Sequence, residues 1–374
     1  MKKTIALLLA AILLTWAGPA IAGKREVIYA FDNAFPPFTY VEGGQPKGFE
    51  IDVLQQALEG SGFNLIMRPG PWDEIQRQLK AGNVQLSSGA AKTPQREKDL
   101  LFPDRPTCEL DVRIFTAASS KIRTIADLDG RTVATQRGSL YQQLLAKKTK
   151  ANLLLFDNEP QALQALNDGR ADACVIAGRA GHFFIKNQGY KNISAVGTPI
   201  QVINIYYLIA RDRPDLARAI SQGLAAIQQD GRFERIYRRW FVPKLEEKEI
   251  KSLIEAATKA SRMAYAPYSK FQVGAAVLSG AGVIHSGANV ENALYNLTAT
   301  ALTTAVLKAV SAGDTDIKAV VNVLPGGALA APSAVDRQLI YEFNRGAQVI
   351  MRGPDGKIIQ PTVAELIPYP FDMR

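Results

Sequence analysis

The chain is sparing with the side chains that most often carry metal or nucleophile chemistry. It has two histidines, His182 and His285, and two cysteines, Cys108 and Cys174, so thiolate and imidazole clusters have little to draw on. The two cysteines can pair in only one way, but both lie in apolar, strand-like runs that suit buried free thiols better than a bridge. Binding chemistry has more to work with. Arg96 closes a Thr93-Pro94-Gln95-Arg96 turn, and a guanidinium is a planar, permanently charged fork that pairs bidentately with a carboxylate. Asp32, Phe35 and Trp72 add an anion and two aromatic faces upstream. Each has a plainer reading as well: a surface arginine, a loop or cap aspartate, two core aromatics.

The elements that must position these residues alternate along the first two thirds of the chain. Short apolar runs (27–31, 65–67, 84–87, 132–134, 153–156, 173–176) alternate with amphipathic stretches such as 49–58, 72–79 and 161–166, the pattern of parallel α/β units. Two longer apolar runs, 110–117 and 202–210, could carry the chain between two lobes. That predicts one lobe of about 24–111 and 208–243 and another of about 112–207. Ligands of open α/β sheets sit beyond the carboxyl ends of the strands, so two such lobes facing each other make a closing cleft. Pro243 and the Glu/Lys cluster after it mark a boundary. A second unit follows: a helix at about 250–264, a hairpin over 271–287, a helix over 297–310, a strand over 317–323, a helix over 334–343 and a strand over 347–351.

Composition narrows the function classes. The chain has 374 residues, 47% hydrophobic and 21% charged, which suits two or three soluble domains. Its net charge of +9 is scattered with no basic block, which argues against a nucleic-acid partner. Lys2 and Lys3, the apolar run 5–14 and Ala20-Ile21-Ala22 read as a secretory leader cut after Ala22. No later segment reads as membrane-spanning.

Residues 23–243 resemble the polar amino-acid solute-binding proteins of bacterial ABC importers. The resemblance rests on Asp32–Phe38 (DNAFPPF), Gly48–Val53 (GFEIDV), Trp72–Ala81 (WDEIQRQLKA) and Gly89–Phe102 (GAAKTPQREKDLLF), in that order. It implies a two-lobed, type II periplasmic-binding-protein fold, a small-molecule ligand bound for transport or for sensing, an inner-membrane ABC permease as partner in the transport case, and a periplasmic location. It places Arg96 on the ligand carboxylate, Phe35 and Trp72 as aromatic walls, Asp32 against a basic group, Gly89 on the binding strand, and helix amides near Gly138-Ser139 on the opposite side. Two positions depart from the family: Ala91 replaces a hydroxyl residue and Ala177 a carboxylate that hold an α-ammonium. The expected ligand therefore bears a carboxylate and either lacks that ammonium or orients it differently. An alternative use of the cleft is dehydratase-like catalysis.

Residues 246–374 resemble free-nucleoside cytidine deaminases through Ala264–Val277 (AYAPYSKFQVGAAV), Gly287–Tyr295 (GANVENALY), Arg337–Phe343 (RQLIYEF) and Thr362–Phe371 (TVAELIPYPF), implying an α/β/α domain. That family needs three zinc ligands and a glutamate proton shuttle. The aligned positions hold Thr300, Ser333 and Asp336, with Leu302 in place of the glutamate. The expectation is no bound metal, no cofactor and no enzymatic activity, the domain serving as an oligomerisation or second binding module. Phe271, Asn289 and Glu291 match the nucleoside-holding positions. They leave two readings open: a retained nucleoside pocket that makes this a nucleoside-binding protein, or local structural roles.

Overall fold

The computed structural model describes residues 25–367 and 370–371. The leader expected over residues 1–22 lies outside the described residues.

The N-terminal segment is organised by one sheet, whose strands run in the order Asn152–Phe156, Thr132–Gln136, Ala173–Ala177, Cys108–Ala117, Ile193–Ala210, Leu86–Ala91, Arg25–Asp32, Phe63–Gly70. The strands at either end pair in parallel, as chain segments joined by helical crossovers do. In the middle, Cys108–Ala117 and the 18-residue Ile193–Ala210 run antiparallel to each other. The two apolar runs read as crossings are these two strands, and they join the flanking α/β regions. Most strand edges lie within three residues of the apolar runs, but Leu86–Ala91 runs four residues past its run and Ile193–Ala210 begins nine residues before its own, because a strand continues until its hydrogen-bonding partner ends. A three-stranded sheet over Ala34–Lys47 is not signalled by the apolar pattern; its strands are two to four residues long.

The helix Trp72–Lys80 shows how the sequence builds these layers. Trp72, Ile75 and Leu79 recur at helical spacing and are buried, Asp73 and Glu74 occupy the first turn, and Arg77 and Lys80 the last. Cys108 and Cys174 are both buried and unpaired. Among the described residues no helix is long and apolar enough to cross a membrane.

In the C-terminal segment the sheet runs Ile284–Ala288, Gly274–Ser279, Ile317–Val323, Gln348–Arg352, Ile358–Ile359. Its two faces feed separate cores. Ala275, Val277 and Val320 pack with Leu302 and Ile340 on one face; Ala276, Leu278, Ala319 and Val321 pack with Leu253 and Ala257 on the other. The period of two along each strand makes this α/β/α sandwich. The helix Glu247–Ser261 sits directly on strand backbone at Gly274: a Cβ there would lie 1.9 Å from the Ala257 carbonyl oxygen. Gly274→Ala is therefore expected to destabilise the full-length protein by about 3 kcal/mol, through forced separation of helix and sheet. Calorimetry checks it, and an unchanged C-terminal transition would contradict this packing.

Candidate functional site

The carboxyl ends of three strands converge between the lobes. Asp32 ends the first strand, Gly89 lies near the end of Leu86–Ala91, and Gln136 ends Thr132–Gln136. All six residues singled out for the cleft (Asp32, Phe35, Trp72, Gly89, Arg96 and Ser139) line one cavity there, together with Gln136 and Tyr141. Across this cavity the lobes are joined by Gln136 Nε2, which donates to Asp32 Oδ2 at 2.7 Å, and by Gln76 Nε2, which donates to the Gly138 carbonyl at 3.2 Å. The lobes are drawn close, and the cavity holds about 40 Å³, room for a few water molecules.

Arg96 sits in the helix Pro94–Asp99, capped by Thr93, whose hydroxyl accepts from the Arg96 amide at 3.3 Å. Its guanidinium is half-buried and donates only to neutral acceptors, the Ala91 carbonyl at 3.0 Å and Gln76 Oε1 at 3.2 Å. It lies 5.7 Å from the Trp72 ring centroid, within cation–π range. Among the described residues Arg96 has no ion-pair partner. Burial lowers its pKa from the usual arginine value, the sign of a desolvated cation short of anionic company.

Asp32 is 6% exposed. Burial pushes its carboxyl up to about 6, although the Ala34 amide and the Gln136 amide both stabilise the charged form. Beside it lies Glu159, fully buried, with one oxygen accepting from the Ala177 amide at 3.3 Å. Burial pushes Glu159 up to about 8; the nearby Asp32 charge adds to the rise, while the Ala177 amide and Tyr141 hydroxyl oppose it.

The aromatic walls are core and cavity lining at once, so the two readings of Phe35 and Trp72 meet in the same residues. Phe35 stacks on Phe38 with centroids 4.7 Å apart, and Trp72 packs with Ile75, Leu79 and Ala90. Gly89 has φ +76°, and a Cβ there would come within 3.3 Å of the Phe35 ring. The strand can pass this close to the wall only as glycine.

The opposite wall differs in detail from expectation. Gly138 and Ser139 were expected to offer backbone amides. The Gly138 amide donates to Gln142 Oε1 at 2.8 Å and the Ser139 amide to the Gln136 carbonyl at 3.4 Å. Ser139 instead caps the helix Leu140–Lys148, its hydroxyl accepting from Gln142. The amides without an intrahelical acceptor are those of Leu140 and Tyr141, the next two residues. Gln136, Tyr141 and Glu159 escape the sequence reading. Gln136 was findable, since it ends an apolar strand on the ligand side; Glu159, at a helix start, carries no such signal.

In the C-terminal segment, Leu302 is fully buried in the core. Thr300 and Ser333 are helix N-caps, and both hydroxyls donate to Asp336: Thr300 to Oδ1 at 2.5 Å, Ser333 to Oδ2 at 2.7 Å. Asn289 joins strand to loop, accepting from the Val273 amide at 2.8 Å and donating to the Phe271 carbonyl at 2.9 Å. Glu291 accepts from the amides of Tyr268 and Ser269 and from the Ser269 hydroxyl, which holds its pKa below the usual value. Phe271 is exposed.

Residues 27–243 match the bacterial extracellular solute-binding proteins, family 3, over more than half of the chain. The chain belongs to that family. This solute-binding protein is 22% identical over 228 residues to the L-cystine-binding protein TcyA of Bacillus subtilis, covering 60% of this chain and 84% of the relative. Among solved structures, an ancestral arginine-binding protein bound to arginine aligns with a TM-score of 0.55 and 25% identity, covering 59% of this chain and 99% of that one. The fold is the type II periplasmic-binding-protein fold with an amino-acid-type binding domain.

The comparisons overturn one expectation, that the chain has no enzymatic activity. Residues 221–324 match the cytidine and deoxycytidylate deaminase zinc-binding region. The cytidine deaminase of Sporosarcina psychrophila is 41% identical over 124 residues, 33% of this chain and 91% of the relative. Four substitutions, read by residue type alone, do not outweigh identity on that scale with a family of enzymes, and the solute-binding protein is not classed as a non-enzyme. The zinc that the family description names does not fit the residues now present. Asp336 has both oxygens occupied by hydroxyl donors, and the positions supply no thiolate or imidazole.

The buried acids set the pH response. Asp32, Glu159 and Glu50, a core residue held by the Thr107 hydroxyl and also pushed up to about 8, bind protons more tightly folded than unfolded. Their contribution to stability is complete below pH about 4 and lost as pH rises through 6 to 8. The thermal midpoint of ligand-free protein should therefore fall from pH 5 to pH 8.5, and the slope should flatten in Glu159→Gln. A slope unchanged by that substitution would contradict the burial argument.

Proposed function

We propose that the cleft captures a small amino-acid-type solute for import through an ABC permease, with the solute carboxylate forked by Arg96 and its cationic group directed to Asp32. The observation that carries this reading is the half-buried Arg96 guanidinium, which donates only to neutral acceptors in a cavity whose one lining carboxylate is Asp32. Ala91 and Ala177 offer an α-ammonium neither hydroxyl nor carboxylate, so the cation finds its counter-charge at Asp32 instead. A bound ammonium would draw the Asp32 pKa back down and release a proton near pH 6. Titration calorimetry of the mature protein against amino acids and amine-free carboxylates tests it. Arg96→Ala should weaken binding about a hundredfold or more. Asp32→Asn should weaken amino acids and spare amine-free carboxylates. An Arg96→Ala protein that binds as tightly as wild type would sink the proposal.

The C-terminal domain is proposed to join copies of the chain. Tyr265, Tyr268, Leu294, Tyr295 and Leu297 are each more than half exposed, and Tyr265 and Val290 are bridged so that these loops share one face. An apolar cluster of this kind on a soluble domain marks an interaction surface. Light scattering at micromolar concentration should give an oligomer, and Tyr295→Glu with Leu297→Glu should give a monomer. A monomeric wild type would refute this part alone.

A further inference from the structure

A second cavity, of about 580 Å³, lies where the two lobes meet the C-terminal domain. The helix Gly178–Gln188 brings Arg179 and Lys186 to it, the helix Arg232–Phe241 brings Tyr237 and Phe241, and the C-terminal domain brings Asp316 and Lys318. Arg179 is the centre of this arrangement. Its Nη2 donates to the Tyr237 hydroxyl at 2.9 Å, and its guanidinium lies 4.1 Å over the Phe241 ring. Its Nη1 is buried and has no acceptor. A buried charged donor left unpaired is costly, and native structures rarely leave one without a use.

The charge lining the cavity is unbalanced, with Arg179, Lys186 and Lys318 against Asp316. Among the described residues neither Arg179 nor Lys186 takes part in an ion pair. Lys318 is paired with Glu249 at 2.6 Å. The lining carboxylate, Asp316, accepts from Asn344 Nδ2 at 3.3 Å. The cavity thus offers cationic donors beside flat aromatic faces, which is the chemistry that holds an anion attached to a planar body.

We infer that this junction cavity binds a small planar anion, its charged head accepting from Lys186 Nζ and the Arg179 guanidinium and its flat body lying against Phe241 and Trp240. Such a ligand touches both lobes and the C-terminal domain, so it favours the arrangement in which all three are together, and by linkage it tightens solute binding in the cleft. A carboxylate and a phosphate head share this chemistry. Benzoate and adenosine 5′-monophosphate are the probes that separate them, with inorganic phosphate to separate head from body.

The test titrates each probe into the full-length mature protein, by calorimetry and by tryptophan fluorescence, since Trp240 lines the cavity. At least one planar probe should bind one to one. Arg179→Gln and Lys186→Gln should each weaken it about tenfold or more, while Arg96→Gln should leave it unchanged. Lys186 is exposed, so its variant keeps the test interpretable if Arg179→Gln fails to fold. Three results would each overturn the inference: no binding of either planar probe up to about 10 mM, inorganic phosphate binding as tightly as the nucleotide, or binding that is lost in Arg96→Gln but kept in Lys186→Gln.

Discussion

A desolvated cation must find an anion, and in this protein the chain withholds one. Arg96 is fixed by a capped helix turn, by a backbone carbonyl and by a glutamine, all neutral. The remaining features of the cleft follow from keeping that charge unneutralised in a confined space. Asp32 stands in the same cavity, but burial raises its pKa and Gln136 engages one of its oxygens, so it is kept from collapsing onto the arginine. Phe35 and Trp72 exclude water, which strengthens the field of the guanidinium. Gly89 lets the strand approach the wall without a side chain in the way.

Much of this arrangement is legible in the amino-acid sequence. The alternation of short apolar runs and amphipathic helices locates nearly every strand of the main sheet, because a buried parallel strand cannot avoid being apolar. The six cleft residues are legible for a different reason: their order along the chain matches a family pattern, and the strand ends bring them together. Glu159 is not legible. Its burial depends on Tyr141 and Asp32, contributed by distant segments, and nothing local distinguishes a helix-start glutamate facing solvent from one facing inward. The amides of Gly138 and Ser139 illustrate the same point. A helix N-terminus can be read from sequence, but which of its donors are already engaged depends on where Gln136 and Gln142 turn.

The C-terminal segment is tied together, and tied to the first lobe, by polar contacts. Thr300 and Ser333 cap two helices whose starts meet at Asp336, so this corner of the domain is held together by hydroxyl-to-carboxylate bonds. The domain is docked on the first lobe through Arg345 to Glu234 at 2.6 Å, Arg238 to Glu365 at 3.4 Å, and Gln348 to the Pro243 carbonyl at 2.8 Å. Tyr237 has the C-terminal Arg345 4.8 Å from its ring centroid and the second-lobe Arg179 at 5.5 Å, so one aromatic ring is common to all three bodies.

The strand Ile193–Ala210 has an evolutionary consequence. It pairs with Cys108–Ala117 along one stretch and with Leu86–Ala91 along another, and its register slips between Val196 and Gln201 and again between Tyr206 and Leu208. Tyr207, in the second slip, is fully buried and donates to the Glu50 carbonyl at 2.6 Å. Within its regularly paired stretches, 193–196 and 201–206, loss or gain of one residue would turn the following side chains to the opposite face, whereas the two slips can absorb such a change. Surface loops tolerate changes in length, but the regularly paired stretches of this strand tolerate only substitution.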